Sequence, residues 1–314
     1  MEAFLKGFYG YKNFGDEMLF FGLINWIDQN YDISKLTVEV GDKSWMENWI
    51  RENKEYMGPI LDKLDIVPIN RYRLRYFSHI VTLLGIGPYK KLFKFFGGGE
   101  VLDDSRKFPH DGRNIALLYS ASIRKKYFIL LGGIGTIKKK STKRLYNFIL
   151  PRAQNIVCRE NVSFNLVNKY NKKSTLLRDF SKPLLEEFLS KHNKSNHEEL
   201  LFPYILINIS PKSFNHASFE KIQKFCKNYP KHKKIFFPCD MNYDEQYFDQ
   251  LKKMFGDLEI YNRTKHSLQE TLQLFYNSDG GIGARLHFLY PLKFFKKNIE
   301  ALTQEEKVEK LIFN

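Results

Sequence analysis

The sequence predicts an α/β protein with two doubly wound, Rossmann-like domains and a cleft between them. Short strand-like runs alternate with helical patterns along the chain, and a polar segment over residues 187–199 interrupts the alternation. The length of 314 residues suits about two domains of ordinary size. We therefore expect an N-terminal Rossmann-like domain over residues 1–185 and a C-terminal Rossmann-like domain over residues 203–314.

Each element is predicted from an apolar run and the turn residues beside it. Residues 127–131 are apolar and lead into two glycines, which is typical of a buried parallel strand. Ser44 can cap a helix, and Ser267 forms a capping box with Glu270. The predicted strands are residues 36–40, 127–131, 155–158, 204–209, 234–237 and 280–283. The predicted helices are residues 18–27, 44–52, 162–170, 219–228, 245–254 and 271–276.

The composition limits the classes of protein to consider. Hydrophobic residues make up 43% of the chain and charged residues 27%, as in a folded soluble protein. No apolar run reaches the ~18–20 residues that span a bilayer, and the first residues lack the apolar core of a signal peptide. The cysteines Cys158, Cys226 and Cys239 form no CxxC motif, which favours free thiols in a reducing compartment over a structural zinc site. We therefore expect a cytoplasmic protein.

The chain is strongly basic, with a formal net charge of +15 and a pI near 9.4. Its lysine clusters are compatible with nucleic acid, an anionic membrane surface, an anionic small substrate or a solvated surface. Neither zinc-finger spacing nor an RNA-recognition motif accompanies the charge, so we expect no nucleic-acid partner. Peripheral contact with the inner face of the cytoplasmic membrane stays open. The clusters lie in residues 88–96, 138–140, 231–234 and 294–297.

The motifs of common cofactor and metal sites are absent from the sequence. GxGxxG, GxxxxGK[ST], HExxH and GxSxG do not occur, and GGIGTI and GGIGAR lack the last glycine of the first of these motifs. No DxD occurs either, so a metal-dependent nucleotide-sugar site of that type has no support. We expect neither an organic cofactor nor a metal.

Three glycine-rich segments lie at the ends of predicted strands. In residues 7–17, GFYGYKNFGDE, Asn13 and Gly15 form a turn and Asp16 is placed to cap the next helix. The other two are residues 95–100, FFGGGE, and residues 280–287, GGIGARLH. Tight-turn packing accounts for one such segment, whereas three together indicate a ligand site, because open α/β folds bind ligands at the carboxyl ends of their strands.

Five segments, in order from residue 7 to about residue 310, resemble the polysaccharide pyruvyl transferase family. GFYGYKNFGDEMLFFGL is similar to its Gly-Asn-x-Gly-Asp-Glu turn and helix, and FFGGGEVLDD to its GGG-x-L segment. IVCRENVSFNLV resembles its strand-Arg-x-x-x-Ser-helix element. FFPCDMNYDEQYFDQL looks like its apolar strand followed by Pro238 and Asp244, and GGIGARLHFL looks like its Gly-x-Arg-Leu-His segment.

The chain departs from the family pattern in several places. Lys12 stands where the family usually has glycine, and LGGIGT stands where the family has Gly-Gln-Gly-x-Gly-Pro. After His287 the family is apolar, whereas this chain has polar residues at Lys293, Lys296, Lys297 and Asn298, and Gln304 stands at a tyrosine position. Lys307 nevertheless lies 20 residues after His287, where the family's lysine is expected.

The resemblance implies a GT-B-like fold and a specific reaction. Members transfer a pyruvyl group from phosphoenolpyruvate to a sugar of a cell-surface polysaccharide or its precursor, which forms a cyclic ketal. Ketal formation requires protonation of the methylene carbon, attack by two sugar hydroxyls and departure of phosphate. Histidine can supply the proton near neutral pH, the arginine fork suits a carboxylate or phosphate, and lysine supplies a compact charge.

These requirements assign expected roles to residues of the matched segments. We expect His287 to be catalytic, and Arg159, Arg285 and Lys307 to bind phosphoenolpyruvate in the C-terminal, donor-side domain or beside it. On the N-terminal, acceptor side we expect a sugar, free or lipid-linked, to meet the glycine-rich strand ends. The expected acceptor-binding residues are Asn13, Gly15, Asp16, Gly98, Gly99 and Glu100.

Alternatives stay open at this point. Arg159 could instead form an interdomain salt bridge, and Lys307 could belong to an ordinary amphipathic surface helix. A GT-B-like glycosyltransferase that uses a nucleotide sugar, or a non-catalytic relative that binds glycan or membrane, would also fit the sequence.

Overall fold

The computed structural model describes most of the chain. Backbone and side chains are described for residues 1–69, 92–99, 119–123, 132–133, 139–192 and 202–303, with Val308 and Ile312. For residues 100–102, 128–131 and 134 the backbone alone is described. Among the described residues, no helix combines the length and apolar character that a bilayer span requires.

The first sheet has seven strands in the order β3-β2-β1-β4-β5-β6-β7. Every pair of neighbours is parallel, and the order reverses between β1 and β4, as in a doubly wound fold. The strands are β1 Glu2–Lys6, β2 Lys35–Val40, β3 Leu64–Pro68, β4 Phe93–Leu102, β5 Phe128–Ile134, β6 Asn155–Cys158 and β7 Ser174–Leu176.

The second sheet has five strands in the order β10-β9-β8-β11-β12, and all pairs are again parallel. Its order reverses between β8 and β11, so the carboxyl ends of these two strands form its topological switch point. The strands are β8 Tyr204–Ile207, β9 Lys233–Phe236, β10 Leu258–Ile260, β11 Gly280–Gly283 and β12 Asn298–Ala301.

Helices connect the strands of both sheets. The α-helices are α1 Phe14–Asn30, α2 Lys43–Glu52, α3 Lys140–Ile149, α4 Asn161–Val167, α5 Lys182–His192, α6 His216–Lys227, α7 Phe248–Phe255, α8 Leu268–Asn277 and α9 Leu286–Phe294. Short 3₁₀ helices occur at Lys54–Tyr56, Pro59–Lys63, Leu150–Arg152, Pro211–Ser213, Glu245–Tyr247 and Arg263–Lys265. The fold class is therefore α/β with two doubly wound parallel sheets, as the sequence predicts.

The chain divides into two compact units, one around each sheet. The N-terminal unit comprises Met1–Gly10, Met18–Asn48 and Met57–Lys182. The C-terminal unit comprises Pro183–Asn314 together with two segments from the first 60 residues, Tyr11–Glu17 and Trp49–Tyr56. The expected domains 1–185 and 203–314 were continuous stretches of chain, whereas the C-terminal unit recruits the turn that the sequence placed in the N-terminal domain.

The predicted polar linker is partly helical. Helix α5 extends to His192 and so includes residues 187–192 of the predicted linker, because Leu184, Leu185 and Phe188 form a buried apolar face. Residues 193–199 of that segment lie outside the described residues.

Each unit has an apolar core against its sheet. In the C-terminal unit, Ile205 and Ile207 of β8 are fully buried, as are Ile222 of α6 and Leu251 of α7. A parallel sheet covered on both faces needs strands that are apolar throughout, which accounts for the sequence YILI in β8. Burial of each of these side chains contributes about 1.5–3 kcal/mol.

Candidate functional site

The turn before α1 is capped by Asn13 and not by Asp16. The Asn13 side-chain oxygen Oδ1 accepts hydrogen bonds from the backbone N–H groups of Gly15 (3.1 Å) and Asp16 (3.4 Å). Helix α1 begins at Phe14, four residues before the predicted start, so Asp16 already lies in its first turn. The predicted cap at Asp16 is therefore wrong, although its charge at this position still favours the helix dipole.

The Tyr11–Glu17 turn pairs with the loop after β9 within the C-terminal unit. The Phe14 N–H donates to the Cys239 carbonyl (2.8 Å), and the Met241 N–H donates to the Lys12 carbonyl (3.2 Å). The Asn242 side chain also donates to the Tyr11 carbonyl (2.7 Å). These contacts hold residues 11–14 as a short antiparallel extension beside residues 239–242.

Phe14 anchors this turn in the core of the C-terminal unit. Its ring is 1% exposed, stacks on Phe275 with centroids 5.5 Å apart, and meets Phe237 edge-on at 5.2 Å. Such aromatic pairs add about 0.5–1.5 kcal/mol beyond the burial of area. No role was expected for Phe14, and the signal that could have indicated one is an apolar residue inside the polar Asn-x-Gly-Asp-Glu motif.

Lys12 adopts a left-handed backbone conformation with φ of 58°. A left-handed conformation costs a non-glycine residue roughly 1–2 kcal/mol and costs glycine almost nothing. The resemblance places the family's usual glycine at this position, and the backbone here is one that glycine adopts without strain.

Asn208 fixes the carboxyl ends of the central strands of the second sheet. It follows β8, is fully buried, and donates from Nδ2 to the Phe237 carbonyl after β9 (2.9 Å). Its Oδ1 accepts from the N–H groups of Ala284 (3.4 Å) and Arg285 (3.1 Å) after β11. One buried amide thus sets the backbone at the switch point, and the sequence analysis missed it because a single asparagine after a strand has no distinctive pattern.

Arg285 extends from this fixed backbone and forms a bidentate ion pair with Asp244. Its Nε and Nη2 lie 3.2 Å and 2.5 Å from the two carboxylate oxygens. The Asp244 side chain is fully buried, whereas 30% of the Arg285 side chain is exposed. Burial raises the pKa of the neighbouring Asp240 carboxyl, and the positive charge of Arg285 opposes that shift.

His287 lies in the first turn of α9, two residues after Arg285, and is half-buried. A Cβ atom on Gly15 would lie 2.5 Å from His287 Nδ1 and 2.9 Å from its Cγ. Glycine is therefore required at residue 15 for the imidazole to occupy its position. The predicted residues Asn13, Gly15, Asp16, Arg285 and His287 all belong to the C-terminal unit.

Glu17, the last residue of the turn, forms a buried ion pair with Arg263. Both side chains are 2% exposed, and two guanidinium nitrogens donate to the two carboxylate oxygens, Nη2 to Oε1 at 3.0 Å. Burial raises the pKa of Glu17, and the Arg263 charge lowers it. The pair ties the Tyr11–Glu17 turn to the loop after β10 within the C-terminal unit, and the sequence offered no signal for a contact between residues so far apart.

Arg159 lies in the N-terminal unit, after β6, and is 4% exposed. It forms ion pairs with Glu160 (3.2 Å) and Asp179 (3.6 Å), both in the same unit. Glu160 also accepts a hydrogen bond from the Ser163 hydroxyl (2.7 Å). A Cβ on Gly133 would lie 3.3 Å from two Arg159 nitrogens, so this glycine makes room for the guanidinium. The alternative expected for Arg159 was an interdomain salt bridge, whereas these two ion pairs lie within the N-terminal unit.

The remaining predicted residues lie in or beside the first sheet or outside the described residues. Gly98 and Gly99 are in β4, where Gly98 has φ of 119°, a value that favours glycine. The backbone of Glu100 is in the same strand, and its side chain lies outside the described part of the structure. Lys307 also lies outside the described residues.

Arg285 and His287 of the C-terminal unit bring a partly exposed guanidinium and an imidazole to the switch point of a parallel sheet. Such a site can exchange a proton and bind an anion. Among the described residues, no group of three or more His, Cys, Asp or Glu side chains could hold a metal ion.

Comparison with known proteins finds a family and a fold. Residues 13–289 match the family model described as polysaccharide pyruvyl transferase. No curated protein matches the sequence significantly.

Similar solved structures include UDP-GlcNAc 2-epimerases. The Neisseria meningitidis enzyme bound to UDP-GlcNAc has a TM-score of 0.63 and 10% identity, with 98% of this chain and 84% of that chain covered. The Methanocaldococcus jannaschii enzyme in complex with UDP-GlcNAc and UDP has a TM-score of 0.60 and 11% identity, with 97% and 84% covered. At such identities the likeness shows the fold alone, which is GT-B-like.

Proposed function

The chain belongs to the polysaccharide pyruvyl transferase family, and from this premise we propose that it transfers a pyruvyl group from phosphoenolpyruvate to a sugar. The product is a cyclic ketal on a cell-surface polysaccharide or its precursor. The acceptor sugar is free or carried by a lipid.

The observation that supports this proposal most is the grouping of Gly15, Arg285 and His287 in one unit. His287 stands two residues from Arg285 at the end of β11, and the backbone of Gly15 lies against its ring. A protonated imidazole here would donate to the methylene carbon of phosphoenolpyruvate while the sugar hydroxyls attack the adjacent carbon. General acid catalysis of this kind contributes about 10²–10⁴-fold.

Arg285 supplies the charge that the donor requires. Phosphoenolpyruvate carries a carboxylate and a phosphate, and a guanidinium binds either group through parallel hydrogen bonds. Arg159 and Lys307 remain proposed donor ligands. The Tyr11–Glu17 turn, proposed as an acceptor site, also borders His287, so an acceptor bound there would lie beside the proton donor.

The test is an assay that follows both the donor and the acceptor. Protein is incubated with phosphoenolpyruvate and candidate acceptor sugars, and phosphate release and product mass are measured. We expect phosphate release that depends on the acceptor, with a product heavier by one pyruvyl ketal. Release of a nucleoside diphosphate from a nucleotide sugar would instead favour a glycosyltransferase, and the absence of both products would favour a glycan-binding relative.

We also propose cytoplasmic action with peripheral contact at the inner leaflet, where a lipid-linked acceptor would be presented. The net charge of +15 supports this proposal, since each basic residue near an anionic surface contributes about 1 kcal/mol. Sedimentation with vesicles of phosphatidylglycerol measures it. We expect the protein to bind these vesicles at low salt and to be released when the salt concentration is raised. No binding at low salt would contradict the proposal.

A further inference from the structure

Arg285 is held along one edge of its guanidinium group. Asp244 accepts from Nε and Nη2, the two nitrogens of that edge. A guanidinium has another edge, formed by Nη1 and Nη2, which also binds a carboxylate or phosphate through two parallel hydrogen bonds. The position of the Asp244 carboxylate therefore determines which edge Arg285 directs toward a ligand.

Asp244 is itself fixed by its surroundings. Its side chain is fully buried, and Oδ2 accepts from the Asp240 backbone N–H at 3.1 Å. Asp240 in turn accepts from the Asn242 N–H (3.1 Å) and from Asn13 Nδ2 (3.3 Å). A continuous set of hydrogen bonds thus runs from the Tyr11–Glu17 turn through two carboxylates to Arg285.

The backbone of Arg285 is fixed independently of its side chain. Asn208 Oδ1 accepts from the Arg285 N–H, so the start of the side chain is set by β8 and its end by the loop after β9. Two separate constraints on a side chain that is still 30% exposed indicate preorganisation for a ligand.

We propose that Asp244 is a positioning residue, which presents the Nη1–Nη2 edge of Arg285 to the anionic donor, and that Asp240 and Asn13 connect this control to the Tyr11–Glu17 turn. The identity of the donor rests on the proposed function. The contacts of Arg285 with Asp244 and Asn208 do not depend on that function.

The first measurement needs no donor. Phenylglyoxal reacts with the terminal nitrogens of arginine, and mass spectrometry of the peptide that contains Arg285 gives its labelling rate. In Asp244→Asn the carboxylate no longer holds Nη2, and we expect labelling more than about tenfold faster, as loss of one charge-assisted hydrogen bond implies. The matched control is Asp257→Asn, which removes the exposed ion pair with Lys234 (2.8 Å) and should leave the rate at Arg285 unchanged.

The second measurement separates positioning from general stability. Asp244→Asn should raise the KM for phosphoenolpyruvate about tenfold and change kcat less than about threefold, because donor binding is what the ion pair prepares. In an Arg285→Lys background, the same substitution should add less than about twofold, since the fork that Asp244 positions is already gone. If Asp244 had a purely structural role, Asp244→Asn would raise the KM for phosphoenolpyruvate by the same factor in wild type and in Arg285→Lys.

The outcomes distinguish this inference from the proposed function. Equal labelling of Arg285 in wild type and Asp244→Asn, or independent effects of the two substitutions on KM, would overturn the inference. A protein with the expected labelling and no turnover of phosphoenolpyruvate would keep the inference and contradict the proposed function. If Asp244→Asn does not fold, Asp244→Glu takes its place, because glutamate keeps the charge and moves the carboxylate. We expect Arg285 to be labelled in Asp244→Glu at a rate between that of wild type and that expected for Asp244→Asn. A wild-type labelling rate in Asp244→Glu would overturn the inference.

Discussion

Two arginines follow inner strands of the two sheets, and they differ in how much of each side chain remains exposed. Arg159 follows β6, and its side chain is 2% exposed between Glu160 and Asp179. Arg285 follows β11, and 30% of its side chain is exposed beside Asp244. Both are paired with buried carboxylates, so the ion pair alone does not distinguish a structural arginine from a ligand-binding one.

To bind an anion, an arginine must keep part of its guanidinium exposed, and of these two arginines Arg285 meets that requirement. An enclosed arginine with two carboxylate partners ties segments of chain together, in this case β6 to the residues after β7. A partly exposed arginine held on one edge can still bind an anion. The donor-binding role of Arg159 stays a prediction, and the structure supplies more support for Arg285.

Removal of the enclosed arginine should have the largest effect on stability. Arg159→Met would leave Glu160 and Asp179 without the cation that they share, and loss of one partner of a buried ion pair costs about 3–5 kcal/mol. Arg285→Met should cost less, about 1–3 kcal/mol, because the Arg285 side chain is 30% exposed and only one carboxylate loses its cation. Chemical denaturation of both variants measures the two values. Equal losses would break the comparison between the arginines.

A methyl group on Gly15 should impair activity more than stability. In helix α1 alanine is ordinarily preferred to glycine by about 1 kcal/mol, but here its Cβ would lie 2.5 Å from His287 Nδ1. Displacement of a catalytic group by about 1 Å costs up to 10²-fold, so we expect kcat to fall about 10–100-fold. Gly58→Ala is the matched control, since its nearest neighbour to an added Cβ lies at 3.7 Å. Unchanged kcat in Gly15→Ala would show that the imidazole position is not critical.

How far the sequence predicted the molecule depends on whether a feature is local. Strands β6 and β11 have the predicted limits, and the Ser267–Glu270 capping box is present, because each is determined by adjacent residues. The family motifs also placed Arg285 and His287 in one short segment, and their roles stay predictions. These signals lie within a few residues of one another along the chain.

The contacts that build the site are long-range and could not be predicted in the same way. Asn13 and Asp240 are separated by 227 positions and Glu17 and Arg263 by 246. No local pattern indicates that the turn after β1 packs in the unit built largely from residues 183–314. The prediction of Asp16 as a cap failed for a related reason: the asparagine three residues earlier already supplied the acceptor, so the helix began sooner.

The smallest expected effect concerns Lys12, whose φ is 58°. Lys12→Gly would remove a strain of about 1–2 kcal/mol. It would also make the unfolded chain more flexible, which lowers stability by about 0.4–1 kcal/mol. We therefore expect the free energy of unfolding to rise by roughly 0.5–1 kcal/mol. Lys221→Gly in helix α6 is the matched control and should lose about 1 kcal/mol. Thermal unfolding of both variants checks the opposite signs, and a loss of stability in Lys12→Gly would contradict the account of this turn.

The most direct test of the central claim is the turnover of His287→Ala with phosphoenolpyruvate and an accepted sugar. Circular dichroism establishes that the variant is folded, and acceptor-dependent phosphate release is then compared with wild type. We expect kcat to fall about 10²–10⁴-fold with a much smaller change in donor binding, because the imidazole acts on the methylene carbon and not on the anionic groups. A folded His287→Ala protein with near wild-type kcat would contradict the central claim.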